Sequence, residues 1–150
     1  MKKTYKVNEI FYSLQGEGRN TGRAAVFIRF SGCNLKCSFC DTDFKLYHEM
    51  TAEAIVDAVR EWKTAGFVVL TGGEPTLQVD SKLIDALHAE DFYVAMESNG
   101  TNVPPPNLDW LTISPKEHVV VTECNELKCI FDGQKPVDDL GIEADYYYLQ

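Results

Sequence analysis

A chain of 150 residues, 45% hydrophobic and 25% charged, has the composition of an ordinary globular domain, long enough for one core and short for two. Its net charge of −9 argues against a nucleic-acid binder, which would present a basic face. No apolar run reaches the roughly 18 residues of a membrane-spanning helix. No apolar stretch follows the charged start at Met1–Lys6 either, so no secretory leader is expected and the cytoplasm is the expected compartment.

In chain order, Phe11-Tyr12-Ser13-Leu14-Gln15-Gly16-Glu17-Gly18 reads, on residue types alone, as a glycine-containing loop. Ala24–Phe30 is rich in β-branched and aromatic residues and stops at Ser31-Gly32, which predicts a buried strand. Thr51 is placed as the N-cap of a helix with Ile55, Val59 and Trp62 at helical spacing and Gly66 at its end. Phe67–Leu70 is a short, wholly apolar strand of the kind found in parallel sheets. A second helix is predicted from Ser81 to Glu90 with Leu83, Ile84 and Leu87 inward, followed by a strand at Tyr93–Met96. Beyond Pro104-Pro105-Pro106 the helices fade. Leu111–Ile113, Leu127–Phe131 and Tyr146–Leu149 read as strands, with a short helical stretch near Val137–Leu140.

Strands alternating with helices imply an α/β fold. About six mainly parallel strands with about three helices are too few for a closed eight-unit barrel of about 250 residues, so an open, partial (β/α) barrel is expected. Residues 1–150 form one domain in this reading. Because the sequence stops at Gln150, directly after an apolar strand, a C-terminal truncation is expected too.

Three of the five cysteines crowd into Cys33-Asn34-Leu35-Lys36-Cys37-Ser38-Phe39-Cys40, a C-x3-C-x2-C spacing. In a cytosolic chain this favours metal or cluster ligation over a disulfide framework. Thiolates so close together can converge on one iron–sulfur cluster, and three of them leave one iron open to a cofactor or substrate. A structural zinc site would need a further ligand to complete its tetrahedron; His48, Cys124 and Cys129 are available, none at a familiar spacing.

C-x3-C-x2-C with an aromatic residue, Phe39, before the last cysteine resembles the signature of the radical S-adenosylmethionine superfamily. Thr71-Gly72-Gly73-Glu74-Pro75, at the end of a predicted strand, resembles that superfamily's Gly-Gly-Glu-Pro turn. Glycines allow a backbone carbonyl to approach a ligand, and a carboxylate suits an ammonium. The resemblance implies a [4Fe–4S] cluster on Cys33, Cys37 and Cys40, with the methionine part of S-adenosylmethionine on the open iron. Cleavage of the sulfonium would give a 5′-deoxyadenosyl radical that takes hydrogen from a substrate. In such enzymes the cofactors carry the hard chemistry and the protein orients and shields.

Within the superfamily, Phe11–Gly18, Val26–Cys33 and Cys40-Asp41-Thr42 closely resemble the 7-carboxy-7-deazaguanine synthases, and the likeness extends over nearly all the chain. That resemblance implies ring contraction of 6-carboxy-5,6,7,8-tetrahydropterin with loss of ammonia, on a route to queuosine and related deazapurines. It places Leu14, Gln15, Gly16 and Thr71 around the pterin and Arg29 on its carboxylate, which suits an Arg fork. It puts Phe39, Cys40, Asp41, Gly73, Glu74, Ser98, Ser114, Pro115, Lys116 and Gln150 at S-adenosylmethionine, and Thr42 at a magnesium ion that keeps waters and borrows substrate oxygens. It also implies a homodimer and an electron donor such as flavodoxin, with neither nucleic acid nor membrane as a partner. His48, His88, His118, Cys124 and Cys129 match no motif and are read as structural or solvent-facing.

The rivals are a glycyl-radical activase, a non-catalytic iron–sulfur carrier and a zinc-binding interaction module. The first has no use for a small-anion pocket of Leu14–Gly18 with Arg29. A carrier would want a fourth cysteine ligand and no Thr71–Pro75 turn.

Overall fold

The computed structural model describes residues 2–32, 47–116, 118–129, 133 and 138–149. Eight strands form one sheet: β1 (Thr4–Leu14), β2 (Ala24–Phe30), β3 (His48–Thr51), β4 (Phe67–Gly72), β5 (Tyr93–Ser98), β6 (Trp110–Ile113), β7 (Glu123–Cys129) and β8 (Glu143–Leu149). Their order is β3-β1-β2-β4-β5-β6-β7-β8. From β2 to β8 every pairing is parallel, whereas β1 runs antiparallel to both β2 and β3. The parallel strands are the six predicted from the sequence. β1 and β3 were not predicted. Alternation in β1 survives only at Tyr5 and Val7 before an irregularity between Val7 and Glu9 shifts the register, and His48-Glu49-Met50-Thr51 carries no apolar run.

Two α-helices are seen among the described residues, α1 (Ala52–Arg60) and α2 (Ser81–His88). Each begins where a short polar side chain can satisfy an orphan N–H: the Thr51 hydroxyl accepts from the Ala54 N–H and the Asp80 carboxylate from the Leu83 N–H. Gly66, at φ 65°, ends the 3₁₀ turn Lys63–Ala65 after α1. The helix expected at Val137–Leu140 is not supported. Val137 lies outside the described residues, Asp138 and Asp139 are not helical, and Leu140 has a φ of 56° that no right-handed helix accommodates.

Strand alternation sorts the apolar side chains into two layers. On the outer face Val26, Ile28, Phe30, Val68, Leu70, Val94 and Met96 are buried against Ile55 and Val59 of α1 and Leu83, Ile84 and Leu87 of α2. Each such burial is worth about 1.5–3 kcal/mol, so this layer holds the helices to the sheet. On the inner face Ala25, Phe27, Phe67, Val69 and Ala95 form a second apolar layer, with Phe11 stacked on Phe27 at 5.1 Å. Below it the Arg23 guanidinium lies 4.2 Å from the Phe67 ring centroid and 5.1 Å from that of Tyr93. This leaves the C-terminal ends of the parallel strands for chemistry, where open α/β sheets place their ligands.

Candidate active site

One step along the strands from the inner apolar layer, the residues turn polar. Arg29 pairs with Thr71; Glu97 pairs with Thr112, Thr112 with Glu126, and Glu126 with Tyr146. They share parity with Phe27, Val69 and Ala95 and so face inward. Among the described residues Arg29 forms no ion pair, and its guanidinium lies 5.7 Å from the Phe11 ring centroid. Lys128 is also on this face, its side chain 5% exposed, with Nζ 2.8 Å from Glu17 Oε2 and 3.2 Å from Glu97 Oε2. Burial works to discharge this lysine, but the two carboxylates outweigh it and hold its pKa above the ordinary value.

The turn after β4 is built around close backbone approach. Gly72 has a φ of 125°, and a Cβ there would sit 2.2 Å from the Phe30 carbonyl oxygen. The next two N–H groups reach the end of β2 and the residue just before the cysteine segment: Gly73 N–H donates to the Phe30 carbonyl at 3.0 Å and Glu74 N–H to the Gly32 carbonyl at 2.8 Å. The turn therefore anchors the chain just before Cys33.

Glu74 is 1% exposed, and both its carboxylate oxygens are occupied. Oε1 accepts from the Asn99 N–H at 2.8 Å; Oε2 accepts from the Ser98 hydroxyl at 2.7 Å, the Thr76 N–H at 3.2 Å and the Thr76 hydroxyl. The acid is solvated by neutral donors from two strand ends. It ties the turn after β4 to the turn after β5.

Of the residues singled out from sequence, the structure brings Arg29 and Thr71 side by side. It also places Gly73, Glu74, Ser98 and Ser114 at neighbouring strand ends, with the Ser114 N–H donating to the Ser98 carbonyl at 2.8 Å. Pro115 and Lys116 follow half-buried, Lys116 Nζ lying 3.5 Å from the Ser114 carbonyl. The Ser98 hydroxyl is spent on Glu74 and on accepting from the Gly100 N–H. Leu14 pairs with Ala24 at the far end of β2 from Arg29, and Gln15 and Gly16 begin the loop that follows. Cys33, Cys37, Phe39, Cys40, Asp41, Thr42 and Gln150 lie outside the described residues.

Sequence reading missed Glu126 and Lys128 as site residues. Two charges flank Leu127 in a predicted strand, so alternation puts both on the side opposite Leu127, but nothing local to the strand says what they meet there. Cys129 is buried and Cys124 half-buried, with desolvation pushing the Cys124 thiol up to about 11. His88 is spoken for by Asp109 at 2.7 Å.

The polar turns lie at the C-terminal ends of parallel strands, where open α/β sheets bind their ligands. Comparison with known proteins agrees. Residues 27–115 match the Radical SAM superfamily. The chain is 50% identical over 147 residues to the 7-carboxy-7-deazaguanine synthase of Bacteroides thetaiotaomicron, covering 97% of this chain and 80% of that protein. It is 44% identical over 172 residues to the synthase of Burkholderia multivorans, covering 98% and 82%. The crystal structure of QueE from Escherichia coli superposes with a TM-score of 0.76 at 31% identity, over 85% of this chain and 70% of that one.

Proposed function

The chain belongs to the 7-carboxy-7-deazaguanine synthase family of radical S-adenosylmethionine enzymes, which are lyases using a [4Fe–4S] cluster and S-adenosylmethionine, and on that premise we propose that it converts 6-carboxy-5,6,7,8-tetrahydropterin to 7-carboxy-7-deazaguanine with loss of ammonia. The observation that carries the substrate assignment is Arg29: a half-buried guanidinium on the inner face, beside Thr71 and over Phe11, without an ion pair among the described residues. A cation so placed is matched by an anionic, flat ligand. An activase working on a protein partner gains nothing from it.

When bound, the cluster and S-adenosylmethionine would supply the radical chemistry of the reaction. The rest of the work is binding and exclusion of water. Cys33, Cys37 and Cys40 hold the cluster, with Phe39 and Asp41 beside the cofactor. Gly73 offers its carbonyl to the methionine ammonium, and Glu74 keeps that carbonyl in place by fixing the turn. Ser98, Ser114, Pro115 and Lys116 line the cofactor's ribose and carboxylate side, and Gln150 joins them. Thr71 and the Leu14-Gln15-Gly16 backbone meet the pterin ring. Thr42 would offer its hydroxyl to a magnesium ion, a cation that keeps waters and needs few protein ligands. A cytoplasmic homodimer reduced by a flavodoxin-type donor completes the proposal, with residues 1–150 as one domain. Among the described residues no helix is long and apolar enough to cross a membrane.

The test is anaerobic reconstitution with iron and sulfide, followed by incubation with S-adenosylmethionine, a reductant and the carboxypterin. The expected products are the deazaguanine acid and ammonia in equal amounts. A correctly assembled cluster that cleaves S-adenosylmethionine but leaves the pterin untouched would overturn the substrate assignment. Arg29→Ala should weaken pterin binding about ten- to more than a hundredfold, as expected for a charge-assisted bond of about 1.5–3 kcal/mol, and leave cofactor affinity unchanged.

A further inference from the structure

The connection between β1 and β2, residues 15–23, does not stay beside its own hairpin. It crosses the inner face and is fixed on the far strands. The Lys128 ammonium of β7 donates to Glu17 at 2.8 Å, the Arg19 N–H donates to Glu126 Oε1 at 2.7 Å, and the Arg19 guanidinium lies 5.1 Å from the Tyr146 ring centroid of β8. Between these contacts Gly18 has a φ of 73°, and a Cβ there would fall 2.1 Å from Glu126 Oε2. Strands β2, β4, β5 and β6 separate β1 from β7 in the sheet, so only the sheet's curvature brings the loop to them.

Lys128 and Glu126, 4% and 3% exposed, are costly choices for inward positions. An apolar side chain of similar size would pack as well, because a buried ion pair contributes little net stability. Their directional contacts do something an apolar pair cannot: they set the height and register of one particular loop. Lys128 also donates to Glu97 at 3.2 Å, in the polar row that contains Thr112 and Glu126.

We propose that Lys128 and Glu126 are positioning residues for substrate binding: they hold the Gln15–Arg19 loop down across the open barrel, so that it forms a preformed wall for the pterin facing Arg29. This rests on the functional reading above. Preorganising a binding loop removes an ordering cost from the binding step, so its loss falls on substrate affinity and spares the cofactor.

The experiment uses the cluster-bearing protein and Lys128→Met, Lys128→Arg and Glu17→Gln variants. Loop docking is read without turnover, as the rate of tryptic cleavage after Arg19. Lys128→Met and Glu17→Gln should raise that rate severalfold, and both should raise the KM for the carboxypterin about tenfold or more, a change corresponding to about 1.4 kcal/mol. S-adenosylmethionine affinity and its reductive cleavage without pterin should be unchanged. Lys128→Arg should restore slow cleavage and most of the affinity. Unaltered cleavage after Arg19 in Glu17→Gln would overturn the proposal even if Lys128→Met failed to fold, since Glu17 is on the solvent side of the pair. A parallel fall in cofactor and pterin affinity would overturn it as well, by making Lys128 a general support of the fold. Wild-type protein that docks its loop but ignores the pterin would defeat the functional reading and leave the docking result standing.

Discussion

The two halves of the sheet are stabilised in different ways. From β1 to β5 the outer face is sealed by α1 and α2, and the residues between are aliphatic and buried. From β6 to β8 no helix covers the outer face among the described residues; a smaller cluster of Ile113, Val121, Leu127, Cys129 and Ile142 is closed by loop residues, and Tyr147 and Leu149 stand 57% and 62% exposed. The second half faces inward with charges that reach back to the first. One half is backed by a large area removed from water; the other has a smaller apolar cluster and adds specific polar contacts across the barrel, and specific contacts belong where a ligand must be placed.

The sharpest way to break this contrast is to open a hole in the helix-backed half. Ile84→Ala, at a fully buried position on α2, should cost about 2–5 kcal/mol in chemical unfolding. A loss below about 1 kcal/mol would mean that the helices are not what secures this half. Next in size is Gly72→Ala. Its positive φ and the approach to Phe30 should cost about 1–3 kcal/mol, and displacing the Gly73–Glu74 turn should abolish S-adenosylmethionine cleavage while the protein remains folded by circular dichroism.

These two variants also show what a linear reading can reach. Ile84 declares itself by helical spacing, and the turn at Gly72 by its motif, because both follow from local pattern. The strands that carry Arg29 and Thr71 were legible for the same reason, being plainly apolar, but the two residues were singled out only by resemblance to a family; the structure sets them side by side. β1 was not, since a register irregularity halves its alternation. Nor were Glu126 and Lys128, whose meaning depends on a loop more than a hundred residues earlier in the chain. The setting of Glu74 was hidden for a similar reason: a sequence shows a carboxylate but not the four donors that hold it in place.

Smaller effects sharpen the contrast. Asp80 caps α2 and accepts from Tyr5 at 2.7 Å and Lys3 at 2.9 Å. Burial alone would raise its pKa, but the bonds from Lys3, Tyr5 and the Leu83 N–H outweigh it and hold the carboxyl below the ordinary aspartate range. Its stabilisation is therefore complete above the unfolded-state pKa and is lost as the pH falls through the lower folded one. Asp80→Ala should cost about 1 kcal/mol at neutral pH, and the difference from wild type should shrink in acid; a pH-independent difference would remove the carboxylate from the argument. At the bottom of the scale, Leu149→Ala on β8 should move the unfolding midpoint by no more than about 0.5 kcal/mol equivalent, and a larger loss would show that the second half relies on burial after all.

The strand order has a consequence for how the molecule comes into being. Each strand after the first pairs with one that precedes it in the chain: β2 and β3 with β1, β4 with β2, and then β5 to β8 each with its immediate predecessor. A ribosome feeding the chain out from its N-terminus thus adds strands to a growing edge, without waiting for a distant partner. The exception is the loop at Gln15–Arg19, whose anchors on β7 and β8 follow it in the chain by more than a hundred residues. A nascent chain that has built its helix-backed half still has that loop unanchored, and the loop docks only after β7 and β8 have emerged.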